Sequence, residues 1–298
     1  MKLSDALTGY WLDKRTDFSL HTVDDYQVTF KRLVEFLRDP EFEAITTNDL
    51  RRFLAHLADE YELGHKSLSN AWIALSSLWT WAETELKTPH IIRGKLKRPK
   101  FTTPTVDPFN RNEITLLLDA AQPDRGIRRQ RPTGIRDRAI ILVLLDTGIR
   151  AQEFCDLEVQ DYDQGRGRLH IRHGKNDKQR FVPVGQRAQK TLWRYLATRE
   201  RTPPNAPLFA TVTGNHLDRN NLRHLLDRIG NHAGVNNVFP HRFRHTFAIE
   251  FLRAGGDLLT LQAILGHETL EMARRYAKLA DQDIDQAGKN SPADNWKL

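Results

Sequence analysis

The sequence predicts a mainly α protein of two domains: an N-terminal helical bundle, then a mostly helical domain with a small antiparallel β-hairpin or sheet. Three observations point there. Apolar residues recur at three- and four-residue spacing through most of the chain. One stretch, 168–184, alternates instead, with turn residues at its centre. A basic, proline-bearing segment separates the halves. The expected division is a helical domain over 1–92, a basic linker over 93–108, and a second domain over 109–298.

The elements follow in order. Residues 4–14 place Leu3, Leu7, Tyr10 and Trp11 on one side. Residues 21–38 carry Val23, Tyr26, Phe30, Leu33, Val34 and Leu37 at helical spacing, and Pro40 ends the run. Thr47 is the expected N-cap of a helix over 48–60, with Leu50, Phe53, Leu54 and Leu57 inward. Residues 67–86 carry Leu68, Trp72, Leu75, Trp79 and Ala82, whose spacing favours core over nucleic-acid stacking. The linker holds Lys95, Lys97, Arg98 and Lys100 among Pro99, Pro104 and Pro108. It reads either as a solvated tether or as an extended segment that neutralises DNA phosphates.

The second domain opens on Asn110 with Glu113 three residues on, a capping box for a helix to Ala121. Arg125, Arg128, Arg129 and Arg131 crowd a loop that suits either a DNA backbone or solubility. Residues 136–146 form the most apolar helix, expected at the centre and broken by Gly148. Strands are expected over 168–173 and 179–184, turning at Gly174-Lys175-Asn176-Asp177, and helices over 186–199 and 219–232. Pro240 suits the start of another helix. On it His241, Arg244 and His245 share about a third of the circumference, opposite Phe243, Phe247 and Phe251. Two imidazoles and a guanidinium at a helix N-terminus suit an anion. A solvated helix face and a His241/His245 metal pair are the competing readings; no Glu follows the first His, which weakens the second.

Charge bounds the function. Of 45 Lys+Arg and 38 Asp+Glu, residues 1–100 hold 15 and 15, leaving 30 and 23 for the remainder. The whole net charge of +7 therefore lies in the second half, which points to a polyanion. The longest apolar run, residues 139–145, is far below membrane length. The start MKLSDALTGYW lacks a signal pattern, and one cysteine, Cys155, excludes an internal disulfide, so a cytoplasmic protein without a membrane partner is expected. Cys155 reads as a small core residue.

Five motifs in order sharpen this: Arg150 in TGIRAQE, Lys175 in GKNDKQRFVP, His241 and Arg244 in HRFRH, His267 in LGH, and Tyr276 nine residues later. Together they resemble the catalytic region of the tyrosine recombinases, the phage integrase family that includes the Xer proteins. The N-terminal bundle resembles, more weakly, the family's SAM-like core-binding domain. Two departures are visible: Gln152 stands between the arginine and the glutamate, and Met272 and Ala273 occupy positions often held by threonines.

The resemblance implies a site-specific recombinase or integrase that breaks and rejoins DNA strands through a 3′-phosphotyrosyl bond and a Holliday junction. Arg150 and Arg244 would fork onto nonbridging oxygens, and His267 would add a hydrogen bond. Tyr276 would be the nucleophile, His241 its base and Lys175 the acid for the leaving 5′-oxygen, with Lys178 the competing acid. Glu153 and His245 would support, and Lys95, Lys97, Arg98, Lys100 and Arg242 would touch DNA. No cofactor or metal is called for. The implied partners are double-stranded DNA, a homotetramer on two sites, and an accessory or partner recombinase. A silent DNA-binding regulator and a type IB topoisomerase are the alternatives. The polar end of the chain, with Trp296, suits either docking on a neighbouring subunit or a frayed terminus.

Overall fold

The structure, a computed structural model, describes residues 1–101, 107–121, 133–172, 179–199, 202–266 and 269–279. The chain forms two compact units, Met1–Pro104 and Thr105–Leu298, each with its own core. Among the described residues no helix is long and apolar enough to cross a membrane.

The first unit is a four-helix arrangement: α1 Leu3–Lys14, α2 Leu20–Leu37, α3 Thr47–Asp59 and α4 His65–Glu85. Local chemistry sets the ends. Ser19 caps α2 by accepting from the Thr22 amide, and left-handed Arg38 closes it. The cap of α3 is Thr46, one residue before the expected Thr47. Asp49 completes a capping box by accepting from the Thr46 amide at 2.9 Å, and only Thr46 stands three residues before that carboxylate. Thr47 turns elsewhere, donating to the Ile91 carbonyl at 2.7 Å. Trp79 is buried and stacks on Phe42 with ring centroids 5.0 Å apart. Trp72 is half-buried and packs against the same core, so both tryptophans serve the core as expected. Tyr10 sits among Trp11, Phe30 and Trp81 and hydrogen-bonds Ser77 at 2.8 Å.

The segment after α4 folds back onto this bundle. Ile92 and Leu96 are buried in its core. Arg51 donates to the Lys95 carbonyl and Trp72 to the Leu96 carbonyl, at 3.0 and 3.1 Å. The boundary between units falls inside the segment expected as the linker, and residues 93–98 belong structurally to the first unit rather than to a free tether. Lys95, Lys97, Arg98 and Lys100 are exposed there, with Arg98 Nε donating to Ser69 at 2.7 Å.

His90 organises the turn into that basic segment. Its Nδ1 accepts from the Ile92 and Arg93 amides at 3.2 and 2.9 Å, so that nitrogen carries no proton. Burial, then the nearby Arg93, depresses its pKa below the ordinary histidine value. A depressed histidine pKa stabilises the fold fully above the unfolded value of about 6.5, and this contribution is lost as pH falls from there through the folded value. We expect the Ile92 and Arg93 amides to lose hydrogen-exchange protection, corrected for intrinsic rates, as pH falls below about 6.5. In His90→Asn, whose carbonyl oxygen can accept the same bonds without titrating, that loss should vanish.

The second unit is built around α6, Gly134–Thr147, buried from Ala139 through Leu144 as its unbroken apolar run requires. It packs against α8, Gln186–Ala197, and α10, Pro240–Arg253. Helices α5 Arg111–Ala120 and α9 Arg219–Ala233 pair beside it. The Asn110–Glu113 capping box forms as expected. The sheet has three antiparallel strands, β1 Tyr162–Asp163, β2 Arg168–Ile171 and β3 Arg180–Pro183, with Leu169 opposite Val182. The hairpin was legible from alternation; two-residue β1 is too short to show a period. Short α7 Ala151–Cys155, α11 Leu258–Leu265 and α12 Leu270–Leu279 are the other helices among the described residues of this unit.

Gly148 ends α6 in the left-handed region at φ 56°, where a side chain is strained. A Cβ there would also lie 2.5 Å from Phe247 Cδ1 and 3.0 Å from Leu265 Cδ2. This close approach brings the start of α7 against α10 and the end of α11, where the candidate site lies.

Candidate active site

Arg150 immediately precedes α7 in extended backbone. Its amide donates to Glu153 Oε2 at 2.9 Å and its Nη1 to Oε1 at 2.8 Å. The two side chains form an i, i+3 ion pair, and it is no surface pair, because the Glu153 side chain is only 3% exposed. Arg150 Nη2 reaches the Gly266 carbonyl at 2.9 Å.

Arg244 arrives from the first turns of α10. Its Nη1 donates to the Gly148 carbonyl at 2.8 Å and its Nη2 to the Leu265 carbonyl at 3.0 Å. The two arginines, 94 positions apart in sequence, thus bind adjacent carbonyls of one turn. Their guanidiniums converge, as a shared phosphate cradle demands. Burial, and next the charge of Arg150, pushes the Arg244 pKa down to about 10, so the guanidinium remains protonated at neutral pH.

A third arginine completes the cluster, and motif reasoning did not assign it a role. Arg180, the first residue of β3, donates Nη1 and Nη2 to the two oxygens of Glu153 at 3.0 and 2.8 Å. Its Nε donates to the Ile264 carbonyl at 2.7 Å. Burial works to raise the Glu153 pKa; hydrogen bonds from Arg180 and Arg150 outweigh it and hold the carboxyl below its usual range. The available signal was strand alternation, which turns Arg180 to the same face as buried Val182.

Tyr276 lies on α12, packed against α10 and α11. It is 8% exposed, among Ala248, Ile249, Leu252, Leu261 and Leu265. Its ring centroid stands 5.4 Å from that of His245, the residue next to Arg244 on α10. The phenol is therefore packed yet adjacent to the cradle. His241 is exposed on the first turn of α10, after Pro240 as expected. His245 is half-buried beside Tyr276, and burial, then His241, lowers its pKa. Lys175, its competitor Lys178, and His267 lie outside the described residues, as do the 125–131 arginines and Trp296.

Arg242 requires correction. It was expected to touch DNA, but it is buried. Its Nε donates to the Asp107 carbonyl, Nη1 to the Asn236 carbonyl and Nη2 to Glu113, at 2.9, 2.8 and 2.8 Å. Its guanidinium lies 3.9 Å above the Phe109 ring. Every nitrogen is committed to holding the start of this unit against α10. Cations that do face outward near His241 are Arg219 and Arg223, one helical turn apart on α9. With Gln152, Asn220 and His241 they line an open groove of about 800 Å³.

Comparison with known proteins gives the chain a family. The family model described as "Phage integrase family" matches residues 109–283, and that for "Phage integrase, N-terminal SAM-like domain" matches residues 10–85. The chain is 30% identical to tyrosine recombinase XerC of Oceanobacillus iheyensis, covering 93% of this chain and 92% of the relative. It is 29% identical to XerC of Staphylococcus saprophyticus, covering 95% and 94%. Among solved structures, the Tn1549 transposon integrase in complex with transposon right end DNA shares the fold, with a TM-score of 0.76 at 18% identity, covering 97% of this chain and 98% of that one. With a family model spanning more than half its length and full-length relatives on both sides of its domain boundary, the chain belongs to the phage integrase family and is a tyrosine recombinase.

Proposed function

We propose that this recombinase acts on double-stranded DNA at a defined site, with Arg150 and Arg244 holding the scissile phosphate and Tyr276 attacking it. The convergence of those two guanidiniums on the Leu265–Gly266 turn, beside Tyr276, carries the reading. Attack on phosphorus forms the 3′-phosphotyrosyl bond and releases a 5′-oxygen. The bond energy is kept, so a second 5′-hydroxyl can reverse the step on a new strand. The extra negative charge on the nonbridging oxygens meets fixed guanidiniums, whose charge does not depend on pH near neutrality.

His241, exposed at the groove, takes the Tyr276 proton; Lys175 supplies the proton to the leaving oxygen, and His267 adds a hydrogen bond. Glu153 and His245 support from behind. Arg219 and Arg223, with Lys95, Lys97, Arg98 and Lys100 on the first unit, contact DNA phosphates. Tyr276 packs on its own chain's α10, which favours cleavage by the same subunit that holds the phosphate. A tetramer on two sites, in the cytoplasm, is the working assembly.

The test is a nicked duplex carrying the sequence that the protein selects from random DNA. Denaturation should leave a covalent protein–DNA adduct on Tyr276, and EDTA should not change its yield. Absence of any adduct would overturn the proposal. Supercoil relaxation with no preferred sequence would replace it with a topoisomerase.

A further inference from the structure

Three consecutive carbonyls, Ile264, Leu265 and Gly266, each accept from a different arginine: Arg180, Arg244 and Arg150. They are the last carbonyls of α11 and its cap, where the helix presents its negative end. Arg244 and Arg150 come from the cradle already described. Arg180 comes from the sheet, and each of its three nitrogens is used on protein atoms. Its side chain is 12% exposed against 29% for Arg150, so it is placed behind the site rather than in it.

We infer that Arg180 is a positioning residue for strand cleavage: it clamps the end of α11 to Glu153 and thereby fixes the Arg150 guanidinium and the turn that leads into His267. The geometry ties these together through one carboxylate. Glu153 Oε1 accepts from Arg150 Nη1 and Arg180 Nη1; Oε2 accepts from the Arg150 amide and Arg180 Nη2. Removing Arg180 leaves Glu153 held only by Arg150 within this cluster and frees the Ile264 carbonyl of its guanidinium. Gly266 shows how closely the clamp is fitted. It is left-handed at φ 62°, and a Cβ there would stand 3.0 Å from Arg180 Nη1. The turn therefore needs glycine both for its backbone and for the arginine behind it.

The assignment rests on the strand-cleaving reading above. Its test uses the full chain and the same nicked duplex, measuring single-turnover adduct formation and duplex affinity separately. Arg180→Gln should slow adduct formation about 100-fold, the scale of a misplaced catalytic geometry, with affinity within about threefold. Arg180→Lys keeps the charge but not the fork and should lose only about tenfold. A further readout separates positioning from mere folding. Without the Arg180 donors the Glu153 carboxyl takes up a proton more readily, so the acid limb of the rate profile should move to higher pH. Adding Glu153→Gln should remove that shift. A wild-type rate in Arg180→Gln overturns the inference. So does a rate loss matched by an equal affinity loss with the acid limb unmoved. If Arg180→Gln does not fold, Arg180→Lys carries the same readouts. Failure of the wild type itself to form an adduct would instead sink the strand-cleaving reading, which the wild-type arm tests alone.

Discussion

Tyr276→Phe should bind its duplex as the wild type does and form no covalent adduct, with the rate down by at least about 10⁴. The reason is chemical rather than structural. Phenylalanine fills the same space among Ala248, Ile249, Leu252, Leu261 and Leu265, so α12 should keep its packing against α10. Only the hydroxyl oxygen is lost, and no other group on α12 can replace it as a nucleophile at that position. Mass analysis of the trapped adduct and a parallel binding titration check both halves. Persistent adduct in the variant would place the attack on a different side chain.

Arg244→Met should separate function from stability. The buried cation costs the fold desolvation, which its depressed pKa of about 10 reports. Replacing a buried charge with an apolar side chain of similar length relieves that cost. Against this, the Gly148 and Leu265 carbonyls lose their arginine donors, at about 1–3 kcal/mol for each buried group left unsatisfied. Opposed effects of similar size should leave the thermal midpoint within about 4 °C of wild type, or about 1–2 kcal/mol for a domain of this size. Adduct formation should nonetheless fall about 10²–10³-fold, the usual loss when one preorganised donor to a developing oxyanion is removed. Calorimetry and single-turnover cleavage decide it. A large drop in melting temperature would show that Arg244 is chiefly a structural strut.

The parts of this protein that were readable in the sequence are those written locally. The Asn110–Glu113 box, Pro240 opening α10 and Gly148 closing α6 are each set by a few adjacent residues, and each appears where its chemistry puts it. The Arg150–Glu153 pair, three residues apart, is local in the same sense. At the start of α3 two threonines adjoin, and only the position of Asp49 chooses Thr46 as the cap.

Long-range partners were not readable. Arg242 sits in a motif full of cations, and nothing nearby announces that its partners lie at Asp107, Phe109 and Glu113, about 130 positions away. Arg180 stands inside a quoted motif, yet its role depends on Glu153 and Ile264 meeting it from two other elements. The segment after α4 read as a proline-spaced tether because its anchors, Thr47, Arg51 and Trp72, belong to earlier helices.

Arg150 and Arg180 share the carboxylate of Glu153 while Arg244 lies within reach of all three charges, and on the proposed function this has a consequence for how DNA would be held. Like charges crowd one another there, and after burial the charge of Arg150 is the next cause of the depressed Arg244 pKa. A phosphodiester bound there would add negative charge beside these cations, so part of its affinity would be relief of their mutual repulsion. Dissolved anions can offer the same relief in advance. Added salt would therefore compete for the pocket itself as well as screening the outer surface.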